Sequence, residues 1–193
     1  VDPQLLNAGI YRRRTLYAED FAALKERIAT GELLYVADGS NASICVIKGR
    51  RSGHLFLKSN GKTEASTALD MSTQYWLGHL GILLHRKLEP ERVAIIGLAS
   101  GITAYAALAH PKTKVDVLEI EPKMVEAARL FSAHNGDVLN HPRMKLHVSD
   151  AREFLQLTPP SSYDVIISEP SNPWVAGIGN LYTVEFFNMV RER

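Results

Sequence analysis

From Arg92 onward the chain alternates short apolar runs with helical stretches. Val93-Ala-Ile-Ile96 leads into Gly97-Leu-Ala-Ser-Gly101. Val115-Asp-Val-Leu118 ends at Glu119, Met144-Lys-Leu-His-Val148 stops just before Asp150, and Tyr163-Asp-Val-Ile-Ile167 stops just before Glu169. Helices are predicted over Ile102–Ala109, Pro122–Ala133 and Arg152–Leu157, and again from about Val184. This alternation, with short connections, predicts an α/β fold: a parallel sheet with helices on both faces. In such sheets, ligands bind outside the carboxyl ends of the strands. The glycine turn, Glu119, Asp150 and Glu169 therefore converge on one edge.

The segment ahead of Arg92 has another period. An amphipathic helix is predicted over Tyr17–Ala29, with Phe21, Leu24 and Ile28 at helical spacing and Gly31 as its stop. Short strands are predicted at Leu33–Val36, Ser43–Ile47 and His54–Leu57, and Asn60-Gly61 is a hairpin signal. A further helix is predicted from Met71 to about Lys87. The expected organisation is an N-terminal linker and helix over 1–31, a small antiparallel sheet over 32–68, and a nucleoside-binding unit over 69–193.

Each candidate site residue has a plain reading beside a functional one. Small residues in Gly97-x-Ala99-x-Gly101 let the backbone turn tightly or approach a ligand, and a helix N-terminus follows. A tight βα turn needs the same glycines. Glu119 follows Gly97 by about 22 residues, near the roughly 20 at which nucleotide-binding folds place an acid for the ribose hydroxyls. Its plain reading is a solvated carboxylate near a helix start, a role that Glu121 and Pro122 suit better. Asp150 serves equally as a ligand residue or as an N-cap. In Glu169-Pro-Ser-Asn-Pro173 two prolines stiffen the loop, so a carboxylate and an amide are held at the sheet edge. The Gly-x-Gly-x-x-Gly of dinucleotide sites and the Walker lysine are both absent. An adenosine ligand without a pyrophosphate, such as an adenosyl sulfonium, fits better.

These motifs resemble the polyamine aminopropyltransferase (spermidine synthase) family, and most closely its bacterial branch fused to a transporter-like membrane region. The resemblance covers most of residues 30 to 190. It rests on Asn60-Gly-Lys62, Asp70-Met-Ser-Thr-Gln74, Ile96-Gly-Leu-Ala-Ser-Gly-Ile-Thr103, Leu118-Glu-Ile-Glu-Pro122, Ser149-Asp-Ala151 and Ser168-Glu-Pro-Ser-Asn-Pro-Trp174. It implies a Rossmann-like, class I methyltransferase-type sheet, truncated here and preceded by a small antiparallel β domain. It also implies aminopropyl transfer from decarboxylated S-adenosylmethionine to a putrescine-like amine. By position, Gly97, Ala99, Ser100 and Gly101 would line the methionine-derived end of the ligand. Glu119 with Ile120 would hold the ribose side, and Asp150 with Ala151 the adenine. Glu169 falls at the catalytic acid, with Gln74 and Asn172 near the amine.

Three positions depart from the family pattern. Ser100 replaces an aspartate, and Glu169 and Asn172 stand where the loop has two aspartates. A less acidic pocket grips a diamine less well and repels the carboxylate of ordinary S-adenosylmethionine less. Two alternatives therefore stay open: an S-adenosylmethionine-dependent methyltransferase, and a catalytically silent ligand-sensing domain of a membrane protein.

Bulk properties narrow the partners. A net charge of +1 over 193 residues does not read as a nucleic-acid surface. Cys45 is the only cysteine, so no internal disulfide is expected and a reducing, cytoplasmic setting is allowed. No metal-ligand spacing is present. His79 and His85 read as packing or interface residues. Arg12-Arg13-Arg14 reads as a solvated run or as the cytoplasmic flank of an inner-membrane helix. A homodimer and a covalent fusion to a membrane region are the remaining partner expectations. The sequence begins at Val1 and stops in an uncapped helix, which reads as a processed or excised piece whose activity alone stays open.

Overall fold

The computed structural model describes residues 28–86, 89–168 and 177–193. The helix expected over Tyr17–Ala29 lies outside them, apart from residues 28 and 29, which are helical. Glu169 and Asn172 also lie outside the described residues.

The antiparallel sheet consists of β1 (Gly31–Asp38), β2 (Ser43–Gly49), β3 (Leu55–Ser59) and β4 (Lys62–Ser66) in sequential order. Asn60 and Gly61 both take positive φ, 49° and 76°, as the tight hairpin between β3 and β4 requires. The sequence reading gave no return strand after this turn, because Lys62-Thr-Glu-Ala-Ser66 lacks an apolar period. Pairing with β3, rather than propensity, makes it a strand. Helix α1 (Met71–Leu83) then leads to the parallel sheet.

That sheet contains β5 (Arg92–Ile96), β6 (Lys114–Glu119), β7 (Met144–Val148) and β8 (Val165–Ser168), in the order β7-β6-β5-β8. All three pairings are parallel. The chain steps outward from β5 to β7 and then returns to the other side of β5. That reversal opens a crevice between β5 and β8 at their carboxyl ends.

The crossovers are α2 (Ile102–Leu108), α3 (Pro122–Arg129), α4 (Ser132–Asn135) and α5 (Ala151–Leu157), with α6 (Val184–Arg191) after β8. The predicted Pro122–Ala133 helix is broken. It stops at Arg129, and Phe131 turns into the core with no exposed surface before α4 begins. Likewise α1 ends at Leu83, short of the predicted Lys87.

Alternation along the strands splits the core into two. Val93, Ile95, Val115 and Val117 face α1–α3 and also meet Ile44, Val46 and Leu57 of the antiparallel sheet. Ile96 and Leu118 face α5 and α6, where they pack with Leu155 and Phe186. The two sheets thus share one apolar layer.

Helix α6 is capped by Thr183, whose Oγ1 accepts from Phe186 N at 3.1 Å. Thr183→Ala removes this acceptor and costs about 1 kcal/mol. Thermal melting is expected to fall by about 2–4 °C. An unchanged midpoint would mean that the helix is held by Phe186 packing alone.

Candidate functional site

The turn after β5 is built around positive φ angles: Gly97 at 93°, Ala99 at 44° and Gly101 at 80°. A side chain at Gly97 would be strained, yet its Cβ would meet no atom within 4 Å. The space beside this backbone is therefore open, as a cradle for a ligand must be. The turn is closed by Gly97 N donating to Leu118 O and Gly101 N donating to Leu98 O, both at 2.8 Å. From below, Asn135 Nδ2 donates to Ser100 O at 2.8 Å. Asn135, 1% exposed, gave no signal in the sequence. It acts through a backbone carbonyl that only the fold brings near.

Glu119 ends β6 directly beside this turn. Its Oε2 accepts from Leu98 N at 2.8 Å and its Oε1 from Glu121 N at 2.9 Å. Burial pushes its carboxyl above the ordinary value, and the neighbouring Glu121 charge adds to this, although those backbone donors pull it back. An ionised carboxylate has about four acceptor sites, so the pair of oxygens retains capacity for a vicinal diol. Ile120, next in the chain, is 47% exposed and offers an apolar face.

Asp150 caps α5: its Oδ1 accepts from Arg152 N at 2.7 Å and Glu153 N at 3.1 Å. The plain reading of this residue is thus realised. Ala151 begins the helix and is buried. Ser149 N donates to Glu119 O at 2.9 Å, which holds the ends of β6 and β7 together.

Gln74 and Ser100 are brought together. Ser100 Oγ donates to Gln74 Oε1 at 2.5 Å, and both residues are buried. Gln74 Nε2 donates to Ser66 O at 3.0 Å, while Asp70 binds the Ser66 amide at 2.8 Å and also the Ser66 hydroxyl. A polar chain thus runs from the end of β4 through α1 to the glycine turn. Sequence reading found Gln74 and Ser100 separately; their bond depends on α1 packing against α2.

A cavity of about 570 Å³ runs beside α5 and reaches Ser149, just past the end of β7. It is lined by Arg92, Asp116, His147 and Tyr163 among others. Its polar groups serve each other: Tyr163 OH donates to Asp116 at 3.0 Å, and His147 Nε2 lies 3.1 Å from the same carboxylate. Burial, then the Asp116 charge, pushes the Tyr163 phenol up to about 12.

With this geometry in place, comparisons with known proteins give a consistent picture. The polyamine aminopropyltransferase 2 of Streptomyces coelicolor is 29% identical over 182 residues, covering 92% of this chain and 32% of that protein. The putrescine N-methyltransferase 2 of Nicotiana attenuata is 31% identical over 103 residues, covering 53% of this chain and 28% of that protein. The chain therefore spans about a third of the length of these curated relatives. Among solved structures, a spermidine synthase in complex with the transition state analogue AdoDATO aligns with a TM-score of 0.75 at 23% identity. That alignment covers 83% of this chain and 54% of that one, and it establishes the shared fold. Residues 71–193 match the spermine/spermidine synthase domain, so this chain, with its glycine turn, strand-end Glu119 and β7-β6-β5-β8 sheet, belongs to the spermine/spermidine synthase domain family.

Proposed function

We propose that the chain is the nucleoside-binding and catalytic part of a polyamine aminopropyltransferase. Its donor is decarboxylated S-adenosylmethionine and its acceptor a putrescine-like diamine. The observation that carries this reading is the strand-end edge, where an open glycine cradle and a buried carboxylate with spare acceptor capacity lie side by side. Gly97, Ala99, Ser100 and Gly101 border the aliphatic end of the donor. Glu119, with Ile120 beside it, takes the ribose diol, and Asp150 and Ala151 flank the adenine. Gln74 and Asn172 face the amine. The bound donor supplies a sulfonium-activated carbon. Glu169, directly after β8, takes the proton that the amine nitrogen must lose as it attacks.

The same reading places the chain in the cytoplasm, alone or as part of a longer membrane-attached protein. Among the described residues no helix is long and apolar enough to cross a membrane. Cys45 is a buried free thiol, compatible with a reducing compartment.

Incubating the full-length protein with putrescine and each sulfonium donor in turn tests the reaction. Methylthioadenosine with an aminopropylated amine is the expected product pair. S-adenosylhomocysteine with a methylated amine would establish the second reading, methyl transfer. That reading is favoured by Ser100 in place of a carboxylate and by similarity to putrescine N-methyltransferases. Tight nucleoside binding with no product from either donor would favour the silent sensing domain.

Ser100 gives a graded prediction. Unit charges 4 Å apart interact by about 1 kcal/mol in water and about 4 kcal/mol near a protein surface. Without an aspartate here, the wild type should discriminate only weakly against the donor that keeps its carboxylate. Ser100→Asp should raise the preference for the decarboxylated donor by about tenfold, read as the ratio of the two dissociation constants. An unchanged ratio would show that position 100 does not sense that end of the donor.

A further inference from the structure

Ile120 stands between two carboxylates, both folded into the protein. Glu119 reaches back to the glycine turn, as described above. Glu121 reaches the other way, to the antiparallel sheet. It is 2% exposed. Its Oε1 accepts from Lys123 N at 2.9 Å, which caps α3. Its Oε2 accepts from Asn41 N at 2.8 Å and Ala42 N at 3.3 Å, in the turn between β1 and β2. Asn41 returns the contact: its Nδ2 donates to Ile120 O at 3.0 Å. Gly39, in the same turn, sits so close that a Cβ would collide with the Glu121 carboxylate. Burial works to raise the Glu121 carboxyl, but its hydrogen-bond donors outweigh this and hold it below the ordinary value. Glu121 is therefore an anion at neutral pH.

A helix cap needs only the bond from Lys123 N. The additional bonds clamp the dipeptide that follows β6 from the side of the other sheet. We propose that Glu121 and the β1–β2 turn at residues 39–42 are positioning elements for the nucleoside site. They hold Glu119 and Ile120 in a binding geometry, and the antiparallel sheet thereby becomes part of nucleoside recognition without touching the ligand. The inference rests on the reading that Glu119 and Ile120 meet the nucleoside. Linkage makes the effect reciprocal: whatever the turn contributes to binding, binding returns as order in the turn.

The test uses the full chain with methylthioadenosine as the probe. Asn41→Ala removes the bond to Ile120 O and leaves the backbone donors to Glu121 in place. It should weaken nucleoside binding by about tenfold in calorimetry, with a melting midpoint close to wild type. Glu121→Gln should weaken binding at least as much. Tyr35→Phe is the control, because Tyr35 OH donates to Glu126 at 2.8 Å and so joins the same sheet to α3 through a hydrogen bond outside residues 119–121. It should leave affinity unchanged. In the wild type, adding nucleoside should slow hydrogen exchange at the Asn41 and Ala42 amides. Wild-type affinity in Asn41→Ala would overturn the proposal. So would an equal loss in Tyr35→Phe, which would reduce the turn to general docking. Failure of the wild type to bind nucleoside would be a different result, in which the site reading itself falls and takes the positioning role with it.

Discussion

Glu169→Gln should lower turnover of the full-length protein by about 10²–10⁴-fold, the usual contribution of a positioned general base. It should leave nucleoside affinity near the wild-type value. The substitution keeps the size of the side chain and removes its charge and basicity. The attacking amine must shed a proton as its nitrogen forms the new bond, and Glu169 is the carboxylate of the Glu169-Pro-Ser-Asn-Pro173 segment. It follows β8, the strand across the crevice from the glycine turn. A split result is the signature: kcat falls while the dissociation constant for methylthioadenosine holds. Turnover that survives the change would place the base elsewhere. A parallel loss of nucleoside binding would mean that Glu169 shapes the site rather than handling the proton.

Glu119→Ala should weaken methylthioadenosine binding by at least about tenfold. Hydrogen bonds to a charged group contribute about 1.5–3 kcal/mol each, and two ribose hydroxyls are in play. The alanine variant also strips the acceptors from Leu98 N and Glu121 N, so the turn itself loosens. Glu119→Gln separates the effects, because it retains an acceptor while losing the charge, and it should still lose most of the affinity. The pH dependence has a definite sign. Burial raises this carboxyl above its ordinary value of 4.5, and in the proposed site the ribose hydroxyls bond to its anion. Affinity should therefore weaken as pH falls through the raised value, and binding near that pH should release protons. Folding responds in the opposite sense. The cost of burying the anion is absent below 4.5 and grows as pH rises through the folded-state value. Calorimetry in two buffers of different ionisation enthalpy would reveal the proton release. Affinity that stays flat across this range would remove Glu119 from the ribose.

The sheet of this protein was legible because its central strand, β5, is buried on both faces and its neighbours carry apolar runs. Val93-Ala-Ile-Ile96 and Val165-Ile-Ile167 are apolar without interruption, and each ends in residues that do not suit a strand. The place of Glu119 at a strand end was legible too, but its bonds to Leu98 N and Glu121 N were not. Strand β4 was not, because Lys62–Ser66 has polar side chains and owes its conformation to a partner strand. The break after Arg129 was hidden too, since the helical period continues past Phe131 while the core pulls that ring inward. Asp150 was ambiguous because capping and ligand binding use the same carboxylate. The Gln74–Ser100 bond and the Glu121–Asn41 contacts join positions far apart in sequence, and no local pattern encodes them. Glu121 in particular read as a helix starter, which accounts for one of its bonds and misses the others.

The strand order divides the labour of this domain in a way that bears on how its chemistry can diversify. Everything proposed for the nucleoside comes from β5, β6, β7 and the turns behind them, whereas Gln74, proposed for the amine, comes from α1. The loop with Glu169 follows β8, which among the described strands pairs only with β5. The segment after β8 could therefore change without altering the residues proposed to grip the adenosyl group. Proteins named for aminopropyl transfer and proteins named for methyl transfer both resemble this chain. A nucleoside edge and a working edge borne on different strands would let one scaffold serve both kinds of transfer.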